Sequence, residues 1–186
     1  MKKQNDNNSA IEVITLGGGC FWCMEAVYQG LNGILSVASG FSGGDSINPT
    51  YEEVVTGNSK HVEVVQMTFD KTKISLYDIL KMFFDMHDPT SLNKQGSDVG
   101  TQYRSVIFFR SESQKKIAQD SIAQLQQEKI YEKPIVTTLE PFDTFYKAED
   151  YHQNYYQLNK DNNLYCQLVI RPKIEKFEKI WKNYRS

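Results

Sequence analysis

Cys20 and Cys23 stand three residues apart in Gly17-Gly18-Gly19-Cys20-Phe21-Trp22-Cys23, where an apolar run breaks into glycines and a helical pattern begins. Upstream, Ile11-Glu12-Val13-Ile14-Thr15-Leu16 is rich in β-branched residues and predicts a strand. Downstream, Phe21, Met24, Val27, Tyr28 and Leu31 recur at helical spacing, with Gly33 as a stop signal. A thiol at such a junction lies beside unpaired backbone N–H groups and the positive end of the helix dipole. That favours thiolate and lowers the pKa from about 8.5 towards neutrality. Cys20 is therefore expected to be a partly exposed nucleophile, with Phe21 and Trp22 walling an apolar ligand pocket. The plainer alternative is a packing cysteine after a tight turn.

Glu63 is the second candidate. On a strand running from His61 to Phe69 it shares a face with Val65, Met67 and Phe69. A carboxyl group at the edge of an apolar face is desolvated, keeps its proton, and can give it to a departing oxygen. The alternative puts Glu63 at a solvent-exposed strand end. His61 lies on the same face and could be a ligand, a base or a loop residue. Tyr51 and Tyr103 each follow a polar loop and can offer a phenolic O–H, though packing is the commoner use of tyrosine. Asp98, in Gly96-Ser97-Asp98-Val99-Gly100, reads locally as a turn aspartate.

These residues need a scaffold. After Gly33, Ile34 to Ser39 predicts a second strand ended by Gly43-Gly44, and Tyr51 to Val55 a short helix stopped by Gly57. The strand from His61 to Phe69 follows. Ser75 with Asp78 caps a helix carrying Leu76, Ile79, Leu80 and Phe83, and Ser111 with Gln114 caps another. Between them lie a long polar loop over residues 88 to 102 and a strand from Arg104 to Phe109; Pro134 to Leu139 completes the pattern. The fold class is α/β (α+β): a two-layer sandwich with a ferredoxin-like mixed sheet and an irregular C-terminal extension. In that extension Cys166-Gln167-Leu168-Val169-Ile170 reads as a strand.

The chain has 186 residues, 40% apolar and 24% charged, with a formal charge of −2, an ordinary globular composition. It is expected to form a disordered tail over residues 1–9 and a single domain over 10–186, and to be a monomer. Nothing in the charge suggests nucleic acid or an anionic membrane as partner, and no apolar run approaches the ~20 residues needed to span a bilayer. Met1 to Asn8 lacks a hydrophobic signal core. Three cysteines cannot close a disulfide framework, which fits a reducing compartment and a cytoplasmic location.

Gly-Cys-Phe-Trp followed by Glu25 resembles the signature of the A-type peptide-methionine sulfoxide reductases, which act on the S epimer at sulfur. The resemblance continues through Ser39-Gly40-Phe41-Ser42-Gly43-Gly44, Asn48-Pro49-Thr50-Tyr51-Glu52-Glu53-Val54 and Gly57-Asn58-Ser59-Lys60-His61-Val62-Glu63. It goes on in His87-Asp88-Pro89-Thr90, the stretch from Gln95 to Ser105, Ala148-Glu149-Asp150-Tyr151-His152-Gln153-Asn154-Tyr155, and Tyr165-Cys166. The blocks lie in family order between residues 11 and 172.

The resemblance implies an α/β plait in which Cys20 attacks the sulfoxide, Glu63 is the acid, and Tyr51 and Tyr103 hold the substrate oxygen. It also implies that Asp98 lines the site and that Phe21 and Trp22 contact the ε-methyl group. The substrates would be oxidised methionine-containing proteins and peptides, and free methionine sulfoxide as well. No cofactor is implied; the reductant would be thioredoxin, or dithiothreitol in vitro. Cys166 matches the family's recycling cysteine. It leads, however, into an apolar run instead of the usual glycine-rich tail, and many members carry glycine at the position of Cys23. Both remain candidates to resolve a sulfenic acid. The rival readings are a thioredoxin-like disulfide oxidoreductase using Cys20 and Cys23, and a zinc-binding module built on the three cysteines and a histidine; the latter lacks a second Cys-x-x-Cys.

Overall fold

Alternating burial builds the sheet. In β1 (Ile11–Gly17), Ile14 and Leu16 enter the main core; in β3 (Val62–Asp70), Val65, Met67 and Phe69 do the same, while Val62 and Val64 enter a smaller cluster. β2 (Ile34–Ser42) and β6 (Val106–Phe109) complete an antiparallel quartet, since β1 pairs with β3 and β6, and β3 with β2. β7 (Thr138–Pro141) adds in parallel to β6, and β8 (Tyr146–Lys147) adds antiparallel to β2. The sheet order is therefore β7-β6-β1-β3-β2-β8. Its inner four strands, β6-β1-β3-β2, have the ferredoxin-like arrangement expected from the sequence. The computed structural model describes residues 10–185; the tail expected over residues 1–9 lies outside them.

α1 (Phe21–Tyr28), α3 (Leu76–Met86) and α4 (Glu112–Gln127) connect these strands. Ser75 and Ser111 cap α3 and α4 by accepting from the backbone N–H of Asp78 and Gln114, as their spacing predicts. α2 (Tyr51–Val55) opens on a reciprocal box between Thr50 and Glu53. α1 ends at Tyr28, before the expected Gly33. Of its eight residues only Trp22 is not buried, so α1 is a core helix rather than a surface one. A small hairpin of β4 (Lys94–Gln95) and β5 (Asp98–Val99) organises the polar loop.

The C-terminal region departs from the strand expected at Cys166–Ile170. That segment is one π-helical turn leading directly into α6 (Arg171–Trp181). Pro172 explains the wide turn: it has no N–H to give the Leu168 carbonyl, and its ring pushes that carbonyl aside. The Arg171 N–H instead reaches the Cys166 carbonyl. Cys166 and Ile170 are buried while Leu168 is 72% exposed, a helical and not an alternating pattern. Ile174 and Phe177 then enter the main core, the Trp181 indole N–H donates to Asp85, and the Asn32 N–H donates to the Tyr184 carbonyl. α5 (Tyr155–Asn159) precedes this segment.

At the β8 side of the sheet, Gln153 extends the ladder with its side chain. Its Oε1 accepts from the Ser39 N–H at 3.0 Å and its Nε2 donates to the Ser39 carbonyl at 2.9 Å. Among the described residues no helix is long and apolar enough to cross a membrane.

Candidate active site

β1 runs into the glycines because nothing larger fits there. A Cβ on Gly18 would lie 2.8 Å from the Phe83 ring; Gly19 adopts φ +95°, and a Cβ there would meet Gln95 at 2.9 Å. This close approach sets Cys20 as the N-cap of α1, its carbonyl accepting from the N–H groups of Cys23 and Met24.

The thiol is not the partly exposed, acidified group expected from that position. Cys20 is 8% exposed, and burial pushes its pKa well above the ordinary value, with Cys23 and Glu63 adding to the rise. A helix terminus offers about 0.3–1 kcal/mol to an anion, whereas full burial moves a pKa by up to about 3–5 units. Desolvation wins. The acidified thiol is Cys23, whose pKa is lowered by its hydrogen bond with Cys20 and then by Lys173, against the opposing effect of burial. The Lys173 ammonium lies 3.9 Å from the Cys23 sulfur.

Glu63 is 1% exposed, which removes the solvent-exposed alternative. Its Oε2 accepts from the Phe21 N–H at 3.1 Å, joining β3 to the residue after Cys20. Burial raises its pKa to about 8; the Phe21 amide opposes this, and Asp98 and Cys23 add to it. At neutral pH the group is a carboxylic acid. Tyr51 opens α2 and Tyr103 ends a 3-10 turn over Thr101–Tyr103. Burial, then Glu63, raises both phenol pKa values, so both keep their O–H; Cys20 and Asp98 act on each of them. The structure thus gathers Cys20, Glu63, Tyr51, Tyr103 and Asp98 around one place.

Phe21 is fully buried and stacks on Tyr51 with 6.4 Å between ring centroids. Trp22 lies flat on Tyr155, 3.7 Å between centroids and 5° between planes, and its indole N–H donates to His152 Nδ1 at 3.0 Å. Because Nδ1 accepts, the His152 proton sits on Nε2, 3.7 Å from Glu149 Oε2; burial lowers the pKa and keeps the ring neutral. The other Glu149 oxygen accepts from the Tyr51 N–H at 2.9 Å. One short segment thereby fixes both Trp22 and Tyr51.

Asp98 is more than a turn residue: its Oδ2 accepts from the Tyr165 hydroxyl at 2.9 Å. That hydroxyl also acts to lower the pKa of the Cys20 and Cys23 thiols. Cys166 is fully buried, its N–H held by Asn163 Oδ1 at 3.1 Å, and all three cysteines are free thiols. His61 takes no part; its ring ties the Gly44 N–H to the Ser46 carbonyl. Among the described residues no group of three or more His, Cys, Asp or Glu is placed to hold a metal ion.

Sequence reasoning gave no role to Glu25, Glu149, His152, Tyr155, Tyr165 or Lys173. Glu25 is buried and accepts from the Asn154 and Tyr155 N–H groups, so it clamps that segment to α1. The density of acids, amides and rings from Glu149 to Tyr155 was a visible signal that the segment makes specific contacts. Lys173 carried no such signal, since it reaches Cys23 from a helix 150 residues away.

A family model described as peptide methionine sulfoxide reductase matches residues 12–185. The peptide methionine sulfoxide reductase MsrA of Saccharolobus solfataricus is 55% identical over 171 residues, covering 92% of this chain and 95% of the relative. Reduced Mxr1 from Saccharomyces cerevisiae superimposes with a TM-score of 0.78 at 33% identity, over 86% of this chain and 91% of that one. Mxr1 in complex with Trx2 gives a TM-score of 0.56 at 25% identity, over 83% and 89%.

Proposed function

The chain belongs to the peptide methionine sulfoxide reductases, and on that premise we propose that Cys20 attacks the sulfoxide sulfur of the S epimer while Glu63 protonates its oxygen. One observation carries this reading. A carboxylic acid that keeps its proton up to about pH 8 is bonded to the backbone N–H of Phe21, the residue next to the nucleophile.

The chemistry then runs as follows. The sulfoxide oxygen sits among Glu63, Tyr51 and Tyr103, whose O–H groups stabilise the charge that develops on it. Phe21 and Trp22 wall the ε-methyl group, and Asp98 orients the site through Tyr165. Cys20 gives up its proton as its sulfur attacks, and Glu63 delivers a proton to the oxygen. In sum, thiol plus sulfoxide become sulfenic acid plus thioether: Cys20 is oxidised and the methionine sulfur is reduced. Cys166 or Cys23 condenses with the sulfenic acid, and an external dithiol reduces the resulting disulfide.

We assign that last role to thioredoxin, on the support of the yeast relative's complex with Trx2. The substrates are peptide-bound and free methionine sulfoxide. No prosthetic group is needed, and residues 10–186 act as one catalytic unit, a monomer. Three free thiols suit a reducing compartment such as the cytoplasm.

The test is thiol-dependent reduction of separated S and R epimers of a blocked methionine sulfoxide, wild type beside Cys20→Ser. Turnover of the S epimer alone, abolished by the substitution, is expected. Turnover that survives in Cys20→Ser would remove Cys20 as nucleophile, and reduction of the R epimer would overturn the stereochemical assignment.

A further inference from the structure

We propose that Cys23 is the thiol that resolves the Cys20 sulfenic acid, and that Lys173 on α6 acts through it as a positioning residue, holding its sulfur ready as the anion. This rests on the reductase reading above and names a step within it.

The geometry favours Cys23 over Cys166. Cys20 is the N-cap of α1 and Cys23 lies three residues on, so both side chains stand on the same face of the first turn. Their side chains act directly on one another. No unfolding is needed to bring the two sulfurs together. Cys166 is held differently. It is fully buried, its N–H is tied to Asn163, and its carbonyl closes the π turn by accepting from Arg171. Burial, and then Cys23, raises its pKa. Backbone bonds on both sides thus restrain Cys166.

A resolving thiol must be anionic to attack. Cys23 is 3% exposed, a place where burial alone would keep it protonated. That burial is opposed by the Cys20 side chain, the larger influence, and by Lys173, whose ammonium is 3.9 Å from the Cys23 sulfur. Lys173 also lines a cleft of about 770 Å³ between α3, the β4 loop and α6, so water reaches its ammonium. The groups facing Cys23 are Cys20, Tyr165 and Lys173 in contact, with Asp98, Glu63 and Cys166 within electrostatic range. Lys173 is the only cation among those named.

The step balances. The Cys23 thiolate attacks the sulfenic sulfur of Cys20, an S–S bond forms and the S–O bond breaks. The departing hydroxide takes one proton from solvent and leaves as water. Cys23 is oxidised from thiol to disulfide as the sulfenic sulfur is reduced, with no outside reductant.

The experiment is a single turnover without reductant in the Cys166→Ser chain, using the blocked S sulfoxide. Released methionine and the Cys20–Cys23 disulfide are both followed by quenched mass analysis. The expected result is a methionine burst followed by that disulfide. Adding Lys173→Met should slow disulfide formation about tenfold near pH 7, relative to the burst in the same sample, as the thiolate fraction falls. The deficit should close as pH is raised, and Lys173→Arg should restore the rate. A merely structural role would give neither the pH rescue nor the arginine rescue. A sulfenic acid that persists on Cys20 in Cys166→Ser, trapped by a carbon nucleophile, would overturn the role of Cys23. An unchanged rate and pH profile in Lys173→Met would overturn the role of Lys173. Absence of the methionine burst would strike the reductase reading itself, and the proposal with it.

Discussion

The protonation state of Glu63 is the residue-scale fact with the widest consequences. Its pKa of about 8 comes from burial, with Asp98 and Cys23 adding and only the Phe21 amide opposing; Cys20, Tyr51 and Tyr103 face it across the site. First-turnover rates should therefore fall as pH rises through about 8, because the acid is lost. In Glu63→Gln the rate should drop ~10²–10⁴-fold and the falling limb near pH 8 should vanish, as read by rapid quench across pH. A wild-type profile in the variant would refute the assignment. The same shift bears on stability. Between the ordinary value of 4.5 and about 8 the folded state holds a proton that the unfolded chain has released, so stability declines as pH rises across that window. Glu63→Gln keeps an acceptor for the Phe21 N–H and removes the titration, so it should raise stability at pH 8 by ~1–3 kcal/mol and by less at pH 5. Equal melting shifts at both pH values would contradict this. Local context, a strand followed by a glycine break, pointed to Cys20, whereas for Glu63 it left the exposed strand end open and the family resemblance favoured the acid. Sequence reasoning misjudged the acidity of Cys20 because burial, the main cause of the rise, is a tertiary effect, and Glu63, which adds to it, comes from another strand.

At the scale of elements, the segment between β8 and α5 has little regular structure, yet it holds the aromatic wall in place. Glu25 supplies its anchor by taking the N–H groups of Asn154, which has φ +55°, and of Tyr155. Glu25→Ala would take the acceptor from both amides, at about 0.5–1.5 kcal/mol for each lost bond. It would also free Tyr155 from its place under Trp22. The expected outcome is a lower melting temperature, faster hydrogen exchange at both amides and a raised KM for the sulfoxide. Normal exchange at Asn154 and Tyr155 would show that the clamp is idle. β1, β2, β3 and β6 were legible by pattern and α3 and α4 by the local caps Ser75 and Ser111, whereas β7 begins at Thr138 and not at the expected Pro134, and the short β4–β5 hairpin lay within what reads as loop. The π turn was misread because Leu168, Val169 and Ile170 are strand formers by propensity. The competing signal was longer-range: Cys166, Ile170, Ile174, Phe177 and Trp181 recur at spacings of three and four, which only a helix can bury together.

For the molecule as a whole, α6 is the element that joins the thiols to the rest of the core. It buries Ile174 and Phe177 and carries Lys173 to Cys23. Phe177→Ala should destabilise the protein by ~3 kcal/mol in urea unfolding, the usual cost of a large cavity. A loss under ~1 kcal/mol would mean that α6 packs loosely and that its lysine is poorly fixed. On the proposed reading the substrates include proteins whose own cores have been loosened by oxidised methionine. Such clients carry backbone with unmet N–H and C=O groups, ready to add to any open strand. At Ser39 the carboxamide of Gln153 already fills both bonds that a visiting strand would seek. A damaged client can present its sulfur to the thiol, and the rim of the sheet beside Ser39 gives its frayed backbone nothing to zip onto.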